Sequence, residues 1–253
     1  MKIAIASGKG GTGKTTIATN LALSLKAEHA VQYMDCDVEE PNGHLFLHPE
    51  LEDRISVGIP VPRVDTPKCT YCGQCAQACE FNAIVVIKEK VLIFPELCHG
   101  CGGCSYICPE DAIDEVEREI GVIEKGYAKG IEFVHGLLNI GEPMAPPLIR
   151  TEKKFIDDKK VVIIDSSPGT SCPVVEAVKG SDFCLLVTEP TPFGLNDLKL
   201  AVGMVRKLEI PMGILINNAD IGDQSVSEYC NRENIPILME IPQDRKIAEA
   251  YSR

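Results

Sequence analysis

The sequence predicts an α/β protein with a doubly wound, mostly parallel sheet and a smaller α+β domain inserted into it. Strand-length apolar segments alternate with helical segments near the start and again in the second half of the 253-residue chain. This alternation is typical of a parallel sheet covered by helices on both faces. Between the two stretches, eight cysteines lie within residues 69–108, a composition that the flanking segments do not share.

The first part of the core begins with a strand, a loop and a helix. Residues 2–7 form a short apolar segment that predicts a strand, residues 8–14 are rich in glycine, and residues 15–26 predict a helix. A second apolar segment, residues 30–34, predicts the next strand. Residues 60–62, Pro-Val-Pro, predict a linker because proline interrupts regular structure.

The alternation returns after the cysteines. Residues 121–123 and 131–138 predict two short strands, and the prolines within residues 143–147 predict a break. The further predicted strands are 161–164, 183–187, 213–216 and 235–239, and the helices between them include 194–208 and 223–233. The predicted domains are a discontinuous core, residues 1–61 and 116–253, and an inserted domain, residues 62–115.

The loop after the first strand carries a phosphate-binding pattern. Residues 8–15, GKGGTGKT, match G-x4-G-K-[ST] between a predicted strand and a predicted helix, which is the context of a P-loop. Glycines let backbone N–H groups turn toward phosphate oxygens at a helix N-terminus. We expect Lys14 to bind the β- and γ-phosphates of ATP and the Thr15 hydroxyl to bind Mg²⁺. The candidate nucleotide-binding residues of this segment are Gly8, Lys9, Gly10, Gly11, Thr12, Gly13, Lys14, Thr15 and Thr16.

The central cysteines form two copies of one spacing, C-x2-C-x2-C-x3-C, and Ala-Ile follows each copy at the same offset. This is the bacterial spacing for two [4Fe–4S] clusters, in which the fourth cysteine of each run binds the cluster of the other run. The predicted ligands are Cys69, Cys72, Cys75 and Cys108 for one cluster, and Cys98, Cys101, Cys104 and Cys79 for the second. Zinc ribbons and disulfides are the alternatives, but four closely spaced cysteines in each run exceed what a zinc knuckle needs.

The composition disfavours several functions. The formal net charge is −12, which argues against binding nucleic acid through phosphate neutralisation. An acidic surface is compatible with a basic redox partner, although simple solvation accounts for it as well. No segment has the length of a membrane span, and the apolar residues 3–6 are too few for a signal peptide. Twelve cysteines without a secretory signal favour the cytoplasm, where thiols stay reduced.

Several segments together resemble the MinD/ParA superfamily of P-loop ATPases. Lys9 adds to the P-loop the second lysine of that superfamily's deviant Walker A motif. Residues 35–37, Asp-Cys-Asp, resemble its Asp-x-Asp motif, and residues 161–170 resemble its Walker B and switch II segment. Residues 216–218 and 241–244 resemble its adenine-side segments. The resemblance covers residues 1–55 and 120–253, and the cysteine segment is similar to two-cluster ferredoxins.

This resemblance implies a Mg²⁺-dependent ATPase that binds ATP or ADP and dimerises around ATP. Lys9 would then reach across a homodimer to the nucleotide of the partner subunit. Asp37 would position the attacking water, while Asp35 and Asp165 would support Mg²⁺ through water. The implied adenine-side residues are Asn217, Asn218, Pro242 and Asp244.

Four cysteines lie outside the two runs. Cys36, Cys184 and Cys230 are expected to be small apolar fillers of the core. Cys172 follows Asp165 by seven residues, an offset that resembles the cluster ligand after switch II in the nitrogenase iron protein. A bridging cluster of that kind needs a second cysteine in each subunit, and the sequence offers no obvious one.

Three functions are compatible with these motifs. The first is an ATP-gated electron carrier with an unidentified redox partner, and the second is an iron–sulfur cluster carrier similar to the Mrp-type ATPases. The third, a MinD-like positioning ATPase on a membrane, needs a C-terminal amphipathic helix. The sequence ends at residues 250–253 just as a helix begins, so we expect either no such helix or a longer natural chain.

Overall fold

The computed structural model describes residues 1–251 and contains a nine-stranded sheet, a two-stranded sheet and the helices between them. The strand order of the large sheet is β11-β10-β9-β1-β8-β2-β7-β6-β3, and the pairs from β11 to β7 are parallel. Strands β4 and β5 form the antiparallel small sheet. The doubly wound, mostly parallel sheet predicted from the sequence is confirmed.

The strands are β1 (Lys2–Ala6), β2 (Val31–Cys36), β3 (Glu50–Val64), β4 (Ile84–Ile87), β5 (Lys90–Ile93), β6 (Ile113–Ala128), β7 (Ile131–Leu138), β8 (Val161–Ser166), β9 (Phe183–Thr188), β10 (Met212–Asn217) and β11 (Ile237–Ile241). The α-helices are α1 (Lys14–Leu25), α2 (Gly43–Leu47), α3 (Gln74–Ala78), α4 (Gly103–Tyr106), α5 (Pro146–Glu152), α6 (Cys172–Val178), α7 (Pro192–Lys207), α8 (Ser225–Glu233) and α9 (Arg245–Tyr251).

The central strands are mostly apolar because both faces of the sheet are buried, and the buried carboxyl groups of Asp35 in β2 and Asp165 in β8 are exceptions. In β1, Ala4 and Ala6 pack into one hydrophobic cluster with residues of α6, α7 and α8. Ile5, which points to the opposite face, packs into a second cluster with Ala18 and Ala22 of α1. Successive side chains of β1 therefore pack into two hydrophobic cores, one on each face of the sheet. This packing fixes the end of the strand, where the P-loop starts.

Two expectations about the middle of the chain are wrong. Residues 60–62 are not a linker but belong to β3, and residues 121–123 are not a short strand but part of the 16-residue β6. Strand β3 is the last strand in the order of the sheet, and an edge strand tolerates proline because its outer N–H groups need no partner. The first half of β6 is rich in charged residues, which hid its strand character.

The chain forms two compact units. The first comprises residues 1–55, 123–137 and 149–251, and the second comprises residues 56–122 and 138–148. The second unit contains the eight central cysteines and a small core of Cys75, Ile84 and Ile113. The predicted inserted domain, residues 62–115, lies within this unit, and its limits stay a prediction.

Among residues 1–251, no helix combines the length and the apolar character that a membrane crossing requires. The sequence places the start of a final helix near residue 250, and the last helix seen, α9, begins earlier, at Arg245. Ser252 and Arg253 lie outside the described residues.

Candidate nucleotide and cluster sites

The P-loop connects β1 to α1, and its glycines serve different purposes. Gly11 and Gly13 have φ values of 78° and 86°, a left-handed backbone that glycine adopts without a steric penalty. Gly8 is needed for packing, because a Cβ atom there would lie 2.2 Å from the carbonyl oxygen of Asp197 in α7. The sequence had assigned Gly8 to phosphate binding alone, since the contact with α7 is not visible in the motif.

A cavity of about 380 Å³ opens over this loop. Its lining includes Ser7, Lys9, Gly10, Gly11, Thr12, Gly13, Lys14, Thr15, Thr16, Asp37, Glu40, Asn42, Leu45, Phe46 and Pro168. The structure therefore brings Asp37 to the loop residues that the sequence identified. The Thr12 hydroxyl is buried and has no hydrogen-bond partner among the described residues, which leaves it available to a phosphate oxygen.

Two buried carboxyl groups lie behind the loop. Asp35 and Asp165 are register partners on the adjacent strands β2 and β8, and both are fully buried. Lys14 Nζ lies 3.3 Å from Asp165 Oδ1, and the Tyr33 hydroxyl donates to Asp165 Oδ2 at 3.0 Å. Burial, and then the negative charge of Asp165, raises the pKa of Asp35 well above its usual value. A divalent cation nearby would relieve this repulsion, so the pair fits the support of Mg²⁺.

The segment after β2 is held by Asp35. The Gly43 N–H donates to Asp35 Oδ2 at 2.7 Å, and the Asp37 N–H donates to Asp35 Oδ1 at 3.3 Å. Burial raises the pKa of Asp37, while Lys14 opposes that shift. A carboxylate with a raised pKa at the edge of a phosphate cavity is suited to accept a proton from water.

Three of the four predicted adenine-side residues, Asn217, Asn218 and Asp244, line a second cavity of about 760 Å³. Its lining is Gly13, Thr16, Ile17, Asn20, Asn217, Asn218, Ile241, Gln243, Asp244, Arg245 and Ile247. The Asn217 side-chain amide donates a hydrogen bond to the Thr12 carbonyl at 2.9 Å. Asn217 thus ties β10 to the P-loop. Pro242 is exposed and lies between two lining residues rather than in the lining itself.

Lys9 has a partner that sequence reasoning missed. Its Nζ atom lies 3.0 Å from Oε2 of Glu189, the residue after β9. No motif identifies Glu189, because the two residues are far apart in the chain and only the fold brings them together. The large separation in sequence also explains why Tyr33 was not recognised as a partner of Asp165.

The eight central cysteines line two separate cavities. Cys69, Cys72, Cys75 and Cys108 line one, and Cys79, Cys98, Cys101 and Cys104 line the other. No disulfide joins any of the chain's twelve cysteines. Within residues 1–251, no three His, Cys, Asp or Glu side chains form a group that could hold a single metal ion. Each cavity offers four soft thiol donors, which is the donor set of a cubane cluster.

The backbone repeats with the cysteines. Three positions with positive φ in the first run, Tyr71, Gly73 and Asn82, correspond to three in the second at the same offset, which are Gly100, Gly102 and Asp111. The backbone hydrogen bonds to sulfur repeat as well. The Ala83 N–H donates to Cys79 Sγ, and the Ala112 N–H donates to Cys108 Sγ, each at 3.3 Å.

The remaining cysteines divide by burial. Cys36, Cys184 and Cys230 are buried, as expected of apolar fillers, and burial raises the pKa of Cys184 to about 12. Cys172 is exposed at the first position of α6.

Comparisons with known proteins agree with the fold. The profile of the CobQ/CobB/MinD/ParA nucleotide binding domain matches residues 3–253. An uncharacterized protein of Methanocaldococcus jannaschii is 34% identical over 263 residues, which cover 100% of this chain and 90% of that protein. An iron-sulfur cluster carrier protein of Pyrococcus horikoshii is 27% identical, and the match covers 98% of this chain and 76% of the carrier.

A solved structure with the same fold is the septum site-determining protein MinD of Pyrococcus horikoshii complexed with Mg-ADP. It aligns with a TM-score of 0.59 at 21% identity and covers 99% of this chain and 84% of that chain. At this identity the likeness concerns the fold alone. The match to the family profile covers almost the whole sequence, and the P-loop and the parallel sheet are those that the family requires. The chain belongs to the CobQ/CobB/MinD/ParA nucleotide-binding family.

Proposed function

We propose that this protein is a Mg²⁺-dependent ATPase that holds two [4Fe–4S] clusters and couples ATP turnover in a homodimer to electron transfer. Members of its family are generally ATPases. One observation carries the proposal: a chain with a P-loop cavity also has eight cysteines divided into two cavities of four. A protein that only hydrolyses ATP has no need of two complete sets of iron ligands.

The residues of the nucleotide site have complementary roles in this proposal. The N–H groups of the P-loop and Lys14 bind the phosphates, and Thr15 binds Mg²⁺ with support from Asp35 and Asp165. Mg²⁺, when bound, neutralises charge on the phosphate oxygens. Asp37 orients the attacking water and accepts its proton. Phosphoryl transfer depends on positioning and charge neutralisation, which these fixed groups provide.

The cluster ligands carry the electron-transfer half of the proposal. Cys69, Cys72, Cys75 and Cys108 hold one cluster, and the other four central cysteines hold the second. Each cluster supplies one-electron redox chemistry. The N–H groups that donate to Cys79 Sγ and Cys108 Sγ raise the reduction potential, because they stabilise the more negative reduced cluster. Four protein ligands per cluster favour retention of the clusters over release.

A second candidate function, iron–sulfur cluster delivery, has one observation in its favour. The relative from Pyrococcus horikoshii named as an iron-sulfur cluster carrier matches 98% of this chain. A carrier must let its cluster go, so it needs an open or shared coordination position. The two complete four-cysteine cavities are the reason to prefer electron transfer.

Cluster transfer separates the two functions. Anaerobically reconstituted protein is mixed with an apo-ferredoxin in the presence and absence of Mg-ATP, and the iron of each protein is measured after separation. The proposal expects the iron to stay with this protein and ATP to be hydrolysed. Transfer of iron to the acceptor that speeds up with ATP would support the carrier function instead.

A further inference from the structure

The lysine that distinguishes this P-loop is paired within its own chain. Lys9 Nζ lies 3.0 Å from Glu189 Oε2, and the side chains are 32% and 20% exposed. An ion pair shielded to this degree from water is stronger than one on the open surface. The Lys9 ammonium group is therefore engaged within its own chain.

Glu189 is held in place from a second direction. Its Oε1 atom accepts a hydrogen bond from the Asn218 side-chain amide at 2.9 Å. Asn218 follows β10, has a φ of 53° and lines the 760 Å³ cavity. The carboxylate therefore has one oxygen directed at Lys9 and the other at the loop beside the larger cavity.

The loop that carries Asn218 is closely packed on the residue after Glu189. The Asp223 N–H donates to the Pro190 carbonyl at 3.0 Å. A Cβ atom at Gly222 would lie only 1.5 Å from that same carbonyl oxygen, so no other residue fits there without movement. This packing fixes the backbone next to Glu189 and makes its carboxylate a preorganised partner for the lysine.

We propose that Glu189 is a positioning residue that holds Lys9 inside its own subunit and thereby opposes ATP-dependent dimerisation. The inference rests on the proposed function, a homodimer that turns over ATP, and on the role that the MinD/ParA resemblance implies for Lys9, contact with the nucleotide of the partner subunit. Dimerisation then requires the Lys9–Glu189 pair to break, and phosphate oxygens of the partner's nucleotide replace the carboxylate. The pair biases the protein toward the monomer, so only a nucleotide with enough negative charge overcomes it.

The test is a gain of dimerisation on removal of the carboxylate charge. Glu189→Gln keeps the shape of the side chain and its hydrogen bond from Asn218. The dimer dissociation constant is measured by analytical ultracentrifugation with Mg²⁺ and a non-hydrolysable ATP analogue. We expect Glu189→Gln to dimerise about three- to tenfold more tightly than the wild type, as befits one partly shielded ion pair.

The matched control is Glu132→Gln. Glu132 is 22% exposed and also forms an ion pair, with Lys160, but at the end of the sheet away from the P-loop. The Glu132→Gln substitution should leave the dimer dissociation constant unchanged. A second control is Lys9→Ala, which breaks the same pair but should dimerise more weakly than the wild type, because it removes the lysine that reaches the partner's nucleotide. Tighter dimerisation of both Glu189→Gln and Lys9→Ala would show that loss of the pair acts through local structure and not through release of Lys9.

The outcomes separate this inference from the proposed function. If the wild type dimerises but Glu189→Gln binds no tighter than Glu132→Gln, or binds more weakly, Glu189 does not restrain Lys9. If the wild type stays monomeric and Glu189→Gln dimerises, both the restraint and the dimer are supported. If neither protein dimerises while the nucleotide analogue still binds, the homodimer and the restraint are both wrong.

Discussion

At the scale of single residues, the nucleotide site depends on a buried pair of carboxyl groups. Asp35 and Asp165 lie side by side, and Lys14 and Tyr33 satisfy only Asp165. Asp35 is engaged by backbone N–H groups of the following segment. The charge of this pair is therefore balanced incompletely by the protein, which creates the demand for a cation.

Removal of one carboxylate should impair Mg²⁺-dependent hydrolysis. Asp165→Asn keeps the size of the side chain but loses the charge that orients Lys14 and supports the metal. We expect ATP hydrolysis to fall by about 10²–10³-fold and the Mg²⁺ concentration for half-maximal activity to rise. The control is Asp158→Asn, an 81% exposed side chain whose loss should not change either quantity. Unaltered Mg²⁺ dependence in Asp165→Asn would contradict the role given to this residue.

Glu152 at the end of α5 makes stability depend on pH. Its carboxyl group is fully buried, and within residues 1–251 neither oxygen accepts a hydrogen bond from a nitrogen or oxygen donor, although the Cys36 thiol lies beside it and opposes the rise of its pKa. Burial, followed by the charge of Asp35, raises its pKa well above 4.5. The unfolded chain therefore loses this proton at lower pH than the folded protein does, so stability falls as pH rises from about 4.5 through the raised pKa.

Glu152→Gln should remove this component of the pH dependence. Between about pH 5 and about pH 8 the wild type should lose stability relative to the variant, so that the free energy of unfolding of Glu152→Gln minus that of the wild type rises by about 1–3 kcal/mol. Urea unfolding at the two pH values measures it. Parallel pH profiles for the two proteins would show that the Glu152 carboxyl has the same pKa in the folded and unfolded states.

Sequence motifs identified candidate residues whose spacing along the chain is characteristic, and they missed contacts between residues that are far apart in the chain. Lys14 and Thr15 were predicted from the spacing of one loop and Asp37 from the resemblance of residues 35–37 to a family motif, and all three line the 380 Å³ cavity. Glu189 and Tyr33 were missed, since their partners come from distant strands and no local spacing relates them. Even the known motif residue Gly8 had a second reason, its contact with α7, that only packing reveals.

At the scale of elements, the cysteine segment is a duplicated unit whose halves exchange one cysteine. Cys108 lines the cavity of the first run, and Cys79 lines the cavity of the second. The paired N–H to sulfur bonds and the repeated positive φ positions place both crossing cysteines in the same way. The spacing predicted this exchange because three close cysteines surround only part of a cubane.

Double substitutions test the exchange. Cys69→Ala and Cys108→Ala should each remove the same cluster, so the double variant should keep about half the iron, as each single variant does. Cys69→Ala combined with Cys98→Ala should lose both clusters. Iron analysis and EPR of anaerobically reconstituted protein measure this, with Cys172→Ala as the control that retains all the iron. If Cys69→Ala with Cys108→Ala lost both clusters, each run would bind its own cluster without exchange.

The parallel strands were predictable and two of the outer strands were not. Strands β1, β8, β9 and β10 each contain an apolar segment of at least four residues, which their burial on both faces of the sheet explains and which makes them recognisable in the sequence. Strands β3 and β6 carry prolines or many charged residues, because much of each strand is exposed. Their length follows from pairing with neighbours in the sheet, which overrides the local preference.

At the scale of the whole molecule, one chain combines the family's nucleotide-binding core with a compact unit that contains two cavities, each lined by four cysteines. The family accounts for the first part of this combination. The two cysteine cavities are the reason for proposing electron transfer, since a protein that only binds and hydrolyses ATP would not need them. The central claim is therefore a coupling: the nucleotide state changes how the clusters hold electrons.

A redox titration followed by EPR tests this coupling most directly. The anaerobically reconstituted wild type and Lys9→Ala are titrated without nucleotide, with Mg-ADP and with Mg-ATP, and the iron content is measured before and after. We predict that Mg-ATP shifts the potential of at least one cluster by about 60 mV or more in the wild type, a tenfold change in a one-electron equilibrium, with no shift in Lys9→Ala and no loss of iron. Identical potentials under all three conditions in a wild-type protein that binds and hydrolyses ATP would contradict the account.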